Sequence, residues 1–201
     1  MLKLTYFPIP GRAYIARTCF GYGGVEFVDE RIGKEQFVAL KGDAGSSDAC
    51  PMGSLPVLTL PSGRVVCESG AINRYAAKRA GLYPEDPEKA LLVDEVLLIA
   101  ESVMGKVPYD KDPETRKEHR ALFAQGFLKR ALILYATRLA PGPFVLGTEF
   151  SVADLTIYSL IKTLRSGFLD DVPTDIDSAW PVFQGLIDRV EAIEKMAPYK
   201  M

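Results

Sequence analysis

The stretch KLTYFPIPGRAYIARTCF, Lys3 to Phe20, decides how the rest of the chain is read. A short apolar run ends at Tyr6, crosses Pro8, Pro10 and Gly11, and restarts as a helical pattern. Proline fixes φ and lacks an N–H, so two prolines in three residues stop a strand and set up a turn. Tyr6 is one of nine tyrosines. It is either one more packed aromatic or a hydroxyl held at a strand end for chemistry.

Outward from this stretch the first eighty residues alternate strand and helix signals. RAYIARTCFGYGG predicts a helix closed by a glycine cluster suited to a left-handed C-cap. VEFVDERI alternates apolar and polar residues at period two, as a half-buried strand does. EQFVALK makes a short helix, and LPVLTL and RVVCE are two apolar runs joined by PSG, a hairpin pattern. SGAINRYAAKRAG predicts a helix with Ser69 as its N-cap and Gly81 beyond its end. The order over residues 1–80 is β-α-β-α-β-β-α.

Residues 81–87, GLYPEDP, combine glycine, prolines and acidic residues and read as a linker. Over residues 88–201 strand signals nearly vanish. PEKALLVDEVLLIAESVMGKV carries one apolar row at Leu92, Val96, Ile99 and Val103 and a second at Val93, Leu97, Ala100 and Met104. A stripe that wide fits contact on two sides, with its own domain and a partner subunit, or the central helix of one bundle. PETRKEHRALFAQGFLKRALILYATRLAPG reads as one long helix stopped by Pro141 and Gly142. SVADLTIYSLIKTLRSG opens with Ser151 and Asp154 at capping-box spacing, a motif of about 1 kcal/mol of helix stability. AWPVFQGLIDRVEAIEKM supplies a last helix with Pro181 near its first turn.

Composition removes several function classes. The chain has 201 residues, 48% hydrophobic and 25% charged, with a formal net charge of -2. That is ordinary globular usage, and no basic excess points to nucleic acid or an anionic membrane. No apolar run approaches the roughly 18 residues of a membrane span. MLKLTYFPIPGR lacks the pattern of a secretory leader. Three cysteines with no CxxC, beside a single histidine, make a poor metal site and fit a reducing, cytoplasmic protein. His119 sits among Lys117, Glu118 and Arg120, the setting of a solvated surface residue and not of a triad base. No GxSxG, GxGxxG or GxxxxGK[ST] pattern is present, and Cys19 and Cys67 read as small core residues.

LTYFPIPGRA, PMGSLPVLTL and ESGAINRYAA resemble the three N-terminal signatures of cytosolic glutathione transferases, and SVADL resembles the capping signature of their helical domain. The four motifs occur in order along essentially the whole chain. Tyrosine, then phenylalanine, then Gly-Arg is most similar to the sigma class, and no serine or cysteine lies between Lys3 and Arg12 to serve other classes. The resemblance implies an α/β plus all-α fold: a thioredoxin-like N-terminal domain with a cis proline at Pro56, followed by a helical-bundle C-terminal domain.

It also implies a site. Tyr6 is the catalytic hydroxyl, donating to the glutathione thiolate. Leu55, next to Pro56, pairs its backbone with the cysteinyl part of the peptide, although Pro56 also reads as a plain edge-strand proline. Glu68 and Ser69 hold the γ-glutamyl end at a helix N-terminus. Glu68 stands where the sigma class commonly has glutamine, and its carboxylate suits the ligand's amino group instead. Lys41 meets the glycyl carboxylate, and Phe37 stands where a tryptophan is usual. Residues 42–54 form an insertion that is either a flap or a surface loop. Arg12 supports Tyr6 electrostatically or makes a structural ion pair. Leu98 falls where many relatives send a carboxylate across to the facing subunit, with Asp94 and Glu101 nearby. Phe7, Ile9, Met104 and Tyr109 are the apolar candidates for an electrophile pocket. The implied protein is a homodimeric glutathione transferase acting on small hydrophobic electrophiles, with glutathione as co-substrate and no further cofactor or metal. A glutathione-dependent isomerase of the prostaglandin-synthase kind, and a non-catalytic protein of the lens-crystallin kind, are the alternatives on the same scaffold.

Overall fold

The N-terminal strand, β1 (Leu2–Tyr6), lies inside a four-stranded sheet in the structure, a computed structural model that describes residues 1–201. Leu2, Leu4 and Tyr6 alternate along β1 and are buried on one face. β1 pairs in parallel with β2 (Phe27–Arg31), Leu4 opposite Asp29, and antiparallel with β3 (Val57–Thr59), Leu4 opposite Leu58. β3 and β4 (Val65–Val66) form the hairpin expected around PSG, and the sheet order is β2-β1-β3-β4. A parallel pair needs a crossover. It is supplied by one 3-10 turn, Gly11–Ala13, and then α1 (Tyr14–Tyr22). α2 (Lys34–Lys41) follows β2, and α3 (Ser69–Ala80) follows β4 and packs against α1. This is the thioredoxin-like arrangement.

Two glycines at the end of α1 do different work. Gly24 is left-handed at φ 63°, and the Val25 N–H returns to the Phe20 carbonyl at 2.8 Å, the closure expected of a helix C-terminus. A Cβ at Gly23 would lie 2.5 Å from the Ala80 Cα, so α1 meets the end of α3 over a bare Cα. At the start of α3 the expectation fails. Ser69 is the first helical residue and Glu68 is the N-cap, with no side-chain cap bond. A serine ahead of a helical pattern signals a boundary, but periodicity places that boundary only to within a residue or two.

The chain divides into two compact units, Met1–Tyr83 and Pro84–Met201. The second unit opens with α4 (Pro87–Gly105). Asp86 Oδ1 caps it by accepting from the Glu88 and Lys89 N–H groups at 3.1 and 2.9 Å, with Pro87 in the first turn. Val93, Val96, Leu97 and Val103 are buried along α4, whereas Leu91 and Leu98 are 71% and 52% exposed. The expected single long helix is three pieces: α5 (Pro113–Phe123), a π turn at Ala124–Leu128 and α6 (Lys129–Leu139). A π turn adds one residue to a helical turn without ending the helix, so the apolar pattern still reads as continuous. The last helix, α8 (Val182–Ala192), is also shorter than expected. It stops at Ile193, which is extended (ψ 116°), and a 3-10 stretch, Glu194–Tyr199, follows. No helix is long and apolar enough to cross a membrane.

α7 (Val152–Arg165) packs against α4 and α8 and is the most buried helix of the second unit. Its capping box has formed. Ser151 Oγ accepts from the Ala153 N–H at 3.3 Å, and Asp154 Oδ2 accepts from the Ser151 N–H at 2.9 Å. Asp154 Oδ1 also accepts from the Val145 N–H at 2.7 Å, which ties the preceding turn to the helix. Burial pushes the Asp154 carboxyl up to about 6, against the lowering effect of these hydrogen bonds.

Asp154→Ala is expected to destabilise the protein by about 3 kcal/mol in urea denaturation, because it orphans two buried N–H groups. A carboxyl that titrates higher when folded holds its proton more tightly in the native state. Its contribution is therefore fully present below about pH 4 and is lost as pH rises through about 6. Lowering the pH from 7 to 4.5 should shift the stability difference between the native protein and Asp154→Asn in favour of the native protein. A pH-independent difference would mean that Asp154 does not titrate in this window.

Candidate active site

Tyr6 is the last residue of β1, with its ring buried and its hydroxyl met by the turn that follows. Tyr6 Oη accepts from the Arg12 backbone N–H at 3.1 Å. A phenol that accepts from an N–H has its oxygen fixed in place and its own proton left to donate. The turn reaches it because Gly11 adopts φ 42°, and a Cβ there would lie 2.6 Å from the Tyr6 oxygen. Gly11 is thus required twice, by its backbone conformation and by the phenol against it.

Arg12 also lines a recess of about 310 Å³ together with Ser54, Leu55, Pro56, Glu68 and Ser69. Five of the residues expected at the site, Arg12, Leu55, Pro56, Glu68 and Ser69, therefore meet in one place. The Leu55–Pro56 bond is cis, as the resemblance implies. Glu68 is left-handed at φ 71°, unusual for a residue with a Cβ. It turns the chain so that Ser69 and Gly70 open α3 beside the recess. A helix N-terminus presents unpaired N–H groups and the positive end of the dipole, which suits a carboxylate. With Arg12, Glu68, Ser54 and Ser69 in its wall and this helix end beside it, the recess suits a small ligand bearing both an ammonium and a carboxylate.

The other expected residues form a second group. Tyr6 and Phe7 meet edge to face at 5.5 Å, Phe7 and Phe37 at 5.4 Å, and Lys41 Nζ lies 5.4 Å from the centre of the Phe37 ring. Phe7, Phe37 and Lys41 are not part of the recess wall. Tyr6 is not part of the recess wall either; it lies between the two groups, against Phe7 on one side and bonded to the Arg12 backbone N–H on the other. The inserted loop is tied both to the end of α2 and to itself. Ser47 Oγ donates to the Leu40 carbonyl at 2.6 Å, Cys50 N–H bonds the Ser47 carbonyl at 2.9 Å, and the loop ends on Ser54 in the recess wall. Ile9, Tyr109 and Leu98 are exposed.

Two of the three thiols, Cys19 and Cys50, are buried, and Cys67 is half-buried, short of the core position expected of it. Burial pushes the Cys19 thiol far above its ordinary value and raises that of Cys50, whose Sγ donates to the Ser54 carbonyl at 3.4 Å. His119 is exposed and pairs with Asp110, Nδ1 to Oδ2 at 2.9 Å, as its charged context predicts.

Sequence reasoning missed Ser54 and Arg17. Arg17 is 8% exposed, and its guanidinium carbon lies 5.6 Å from the centre of the Tyr6 ring. The charge over the ring therefore belongs to Arg17, while the recorded contact of Arg12 with Tyr6 is through its backbone N–H. The available signal was a lone arginine inside the apolar run YIARTCF of α1. Nothing in the sequence sets Ser54 apart from the other serines of its loop.

A family model for the glutathione S-transferase C-terminal domain matches residues 101–201. Glutathione S-transferase 3 of Caenorhabditis elegans is 31% identical over 86% of this chain and 84% of its own length. Hematopoietic prostaglandin D synthase of Gallus gallus is 28% identical over 98% of this chain and 94% of its own. The structure of prostaglandin synthase D of Nilaparvata lugens superposes with a TM-score of 0.82 at 25% identity, over 99% of this chain and 96% of that one. With a thioredoxin-like unit followed by a helical one, and likeness along nearly its whole length, the chain belongs to the cytosolic glutathione transferase family.

Gly11→Ala forces a methyl group against the Tyr6 hydroxyl in a backbone conformation that alanine disfavours. It should cost about 1–3 kcal/mol in chemical denaturation. A stability unchanged from the native protein would mean that the turn does not close on Tyr6 in solution.

Proposed function

We propose that the protein is a glutathione transferase in which Tyr6 stabilises the glutathione thiolate for attack on small hydrophobic electrophiles. One observation carries this reading. The Tyr6 hydroxyl is fixed by the backbone N–H of Arg12, a residue that also lines the recess with Leu55, Pro56, Glu68 and Ser69. A thiol that titrates near 8.5 is only a few per cent thiolate at about pH 7. A hydrogen bond donated to the sulfur favours the charged form, and one charge-assisted bond is worth about 1.5–3 kcal/mol. Lowering the thiol by about two pH units needs roughly 2.7 kcal/mol, so one phenol supplies most of the effect.

Glutathione is the co-substrate. Its γ-glutamyl end lies at Glu68, Ser69 and the start of α3, its cysteinyl backbone at Leu55, and its glycyl end toward Lys41 and Phe37. The thiol proton leaves to solvent. With a chloronitroarene, the sulfur forms a bond to the ring carbon and chloride departs with the C–Cl electron pair. The protein works as a cytoplasmic homodimer in detoxification. The exposed leucines Leu91 and Leu98, one heptad apart on α4, support a second copy as the partner of that face. A second reading keeps the site and changes the outcome: a glutathione-dependent isomerase. Its support is the 28% identity to a hematopoietic prostaglandin D synthase over 98% of this chain.

Tyr6→Phe is expected to lower chloronitroarene conjugation about 10–100-fold near pH 6.5, with the gap closing toward pH 9 as the free thiol ionises unaided. A variant as fast as the native protein at every pH would remove Tyr6 from the mechanism. Absence of turnover in the native protein, with glutathione still bound, would favour the isomerase, which product analysis identifies. Ser69→Ala should weaken glutathione binding about fivefold in calorimetry, the equivalent of one hydrogen bond.

A further inference from the structure

We propose that Arg17 is a positioning residue for Tyr6: its guanidinium fixes the phenol ring and the chain that leaves the strand as one rigid piece. The inference rests on the reading of Tyr6 as thiolate stabiliser. The guanidinium lies beneath that residue and reaches in three directions. Nε donates to Asp29 Oδ1 at 2.8 Å, Nη1 to the Ile9 carbonyl at 2.6 Å and Nη2 to the Phe7 carbonyl at 3.1 Å. The same group sits 5.6 Å from the centre of the Tyr6 ring. Arg17 thus ties down the first and third residues after Tyr6 while lying against the ring.

Each contact restrains a different freedom. The two carbonyl bonds set the path from Tyr6 to Gly11, which in turn places the Arg12 N–H on the phenol oxygen. The cation over the ring and the Phe7 edge at 5.5 Å limit the tilt of the ring. Asp29 anchors the whole from the neighbouring strand β2, where it sits opposite Leu4. Only a planar fork that stays charged meets these partners together; a lysine ammonium is a single point. Burying an arginine at 8% exposure is tolerated because every nitrogen is hydrogen-bonded. Arg17 is not part of the recess wall, so its removal should leave glutathione binding largely alone. Its effect should fall on the hydroxyl-to-sulfur geometry, where a displacement of about 1 Å costs about 100-fold in rate.

The test is a double-mutant cycle on chloronitroarene conjugation, with glutathione affinity measured by calorimetry, for the native protein, Arg17→Met, Tyr6→Phe and the double variant. Arg17→Met is expected to lower kcat about 10-fold or more with glutathione Kd within about 3-fold, because it moves the hydroxyl without touching the recess. In the Tyr6→Phe background the same change should cost less than about 2-fold, since no hydroxyl remains to be misplaced. Arg17→Lys should fall with Arg17→Met and not with the native protein. An equal loss with or without the Tyr6 hydroxyl, or a loss of glutathione affinity at constant kcat, would overturn the proposal. Asp29 keeps a partner in these variants, Arg31 at 2.8 Å. Should Arg17→Met nonetheless fail to fold, Arg17→Lys and Asp29→Asn carry the same cycle. Full turnover in Tyr6→Phe alone overturns the underlying role of Tyr6, a failure that the cycle separates from that of Arg17.

Discussion

The antiparallel pairing of β1 with β3 is the constraint on which the candidate site depends. Thr5 lies opposite Val57, so Tyr6, the last residue of β1, and Pro56, the residue just before β3, lie at the same edge of the sheet. The β3–β4 hairpin returns the chain to that edge two residues before Glu68. Three segments far apart in sequence therefore converge through one hydrogen-bonded register. A shift of one residue would turn Leu4 and Tyr6 to the opposite face, and the burial of Leu4 at 0% exposure makes that shift costly.

Around this edge the backbone departs from ordinary geometry where side chains converge. Gly11 and Glu68 have positive φ. Gly11 lets the turn close on the Tyr6 oxygen, and Glu68 redirects the chain into α3 so that its N-terminus faces the recess. Conformations of this kind persist only when their surroundings over-determine them. Here the surroundings are the Arg17 fork, the sheet register and the packing of α1 on α3.

The helical unit rests on a different device. α7 is nearly all buried, and its first turn would leave orphan N–H groups in the interior. Ser151 and Asp154 satisfy them, and Asp154 extends the network to Val145, nine residues earlier. A carboxylate that accepts from several directions in a place water does not reach fixes both the start of α7 and the turn leading into it.

Several features were legible in the sequence because their causes are local. The period-two alternation of β1 and β2, the glycines that close α1, the hairpin at PSG and the SVADL capping box each depend on neighbours a few residues away. The motifs that resemble glutathione transferases likewise pointed to Tyr6, Leu55, Pro56, Glu68 and Ser69. Only the tertiary structure separated the recess residues from the aromatic group of Phe7, Phe37 and Lys41, moved the cap of α3 from Ser69 to Glu68, and opened a π turn inside an unbroken helical pattern. It alone set Arg17 beneath Tyr6. A guanidinium that bonds Phe7, Ile9 and Asp29 has partners on a turn and on a neighbouring strand, and their convergence follows from strand pairing and helix packing that no window of sequence contains.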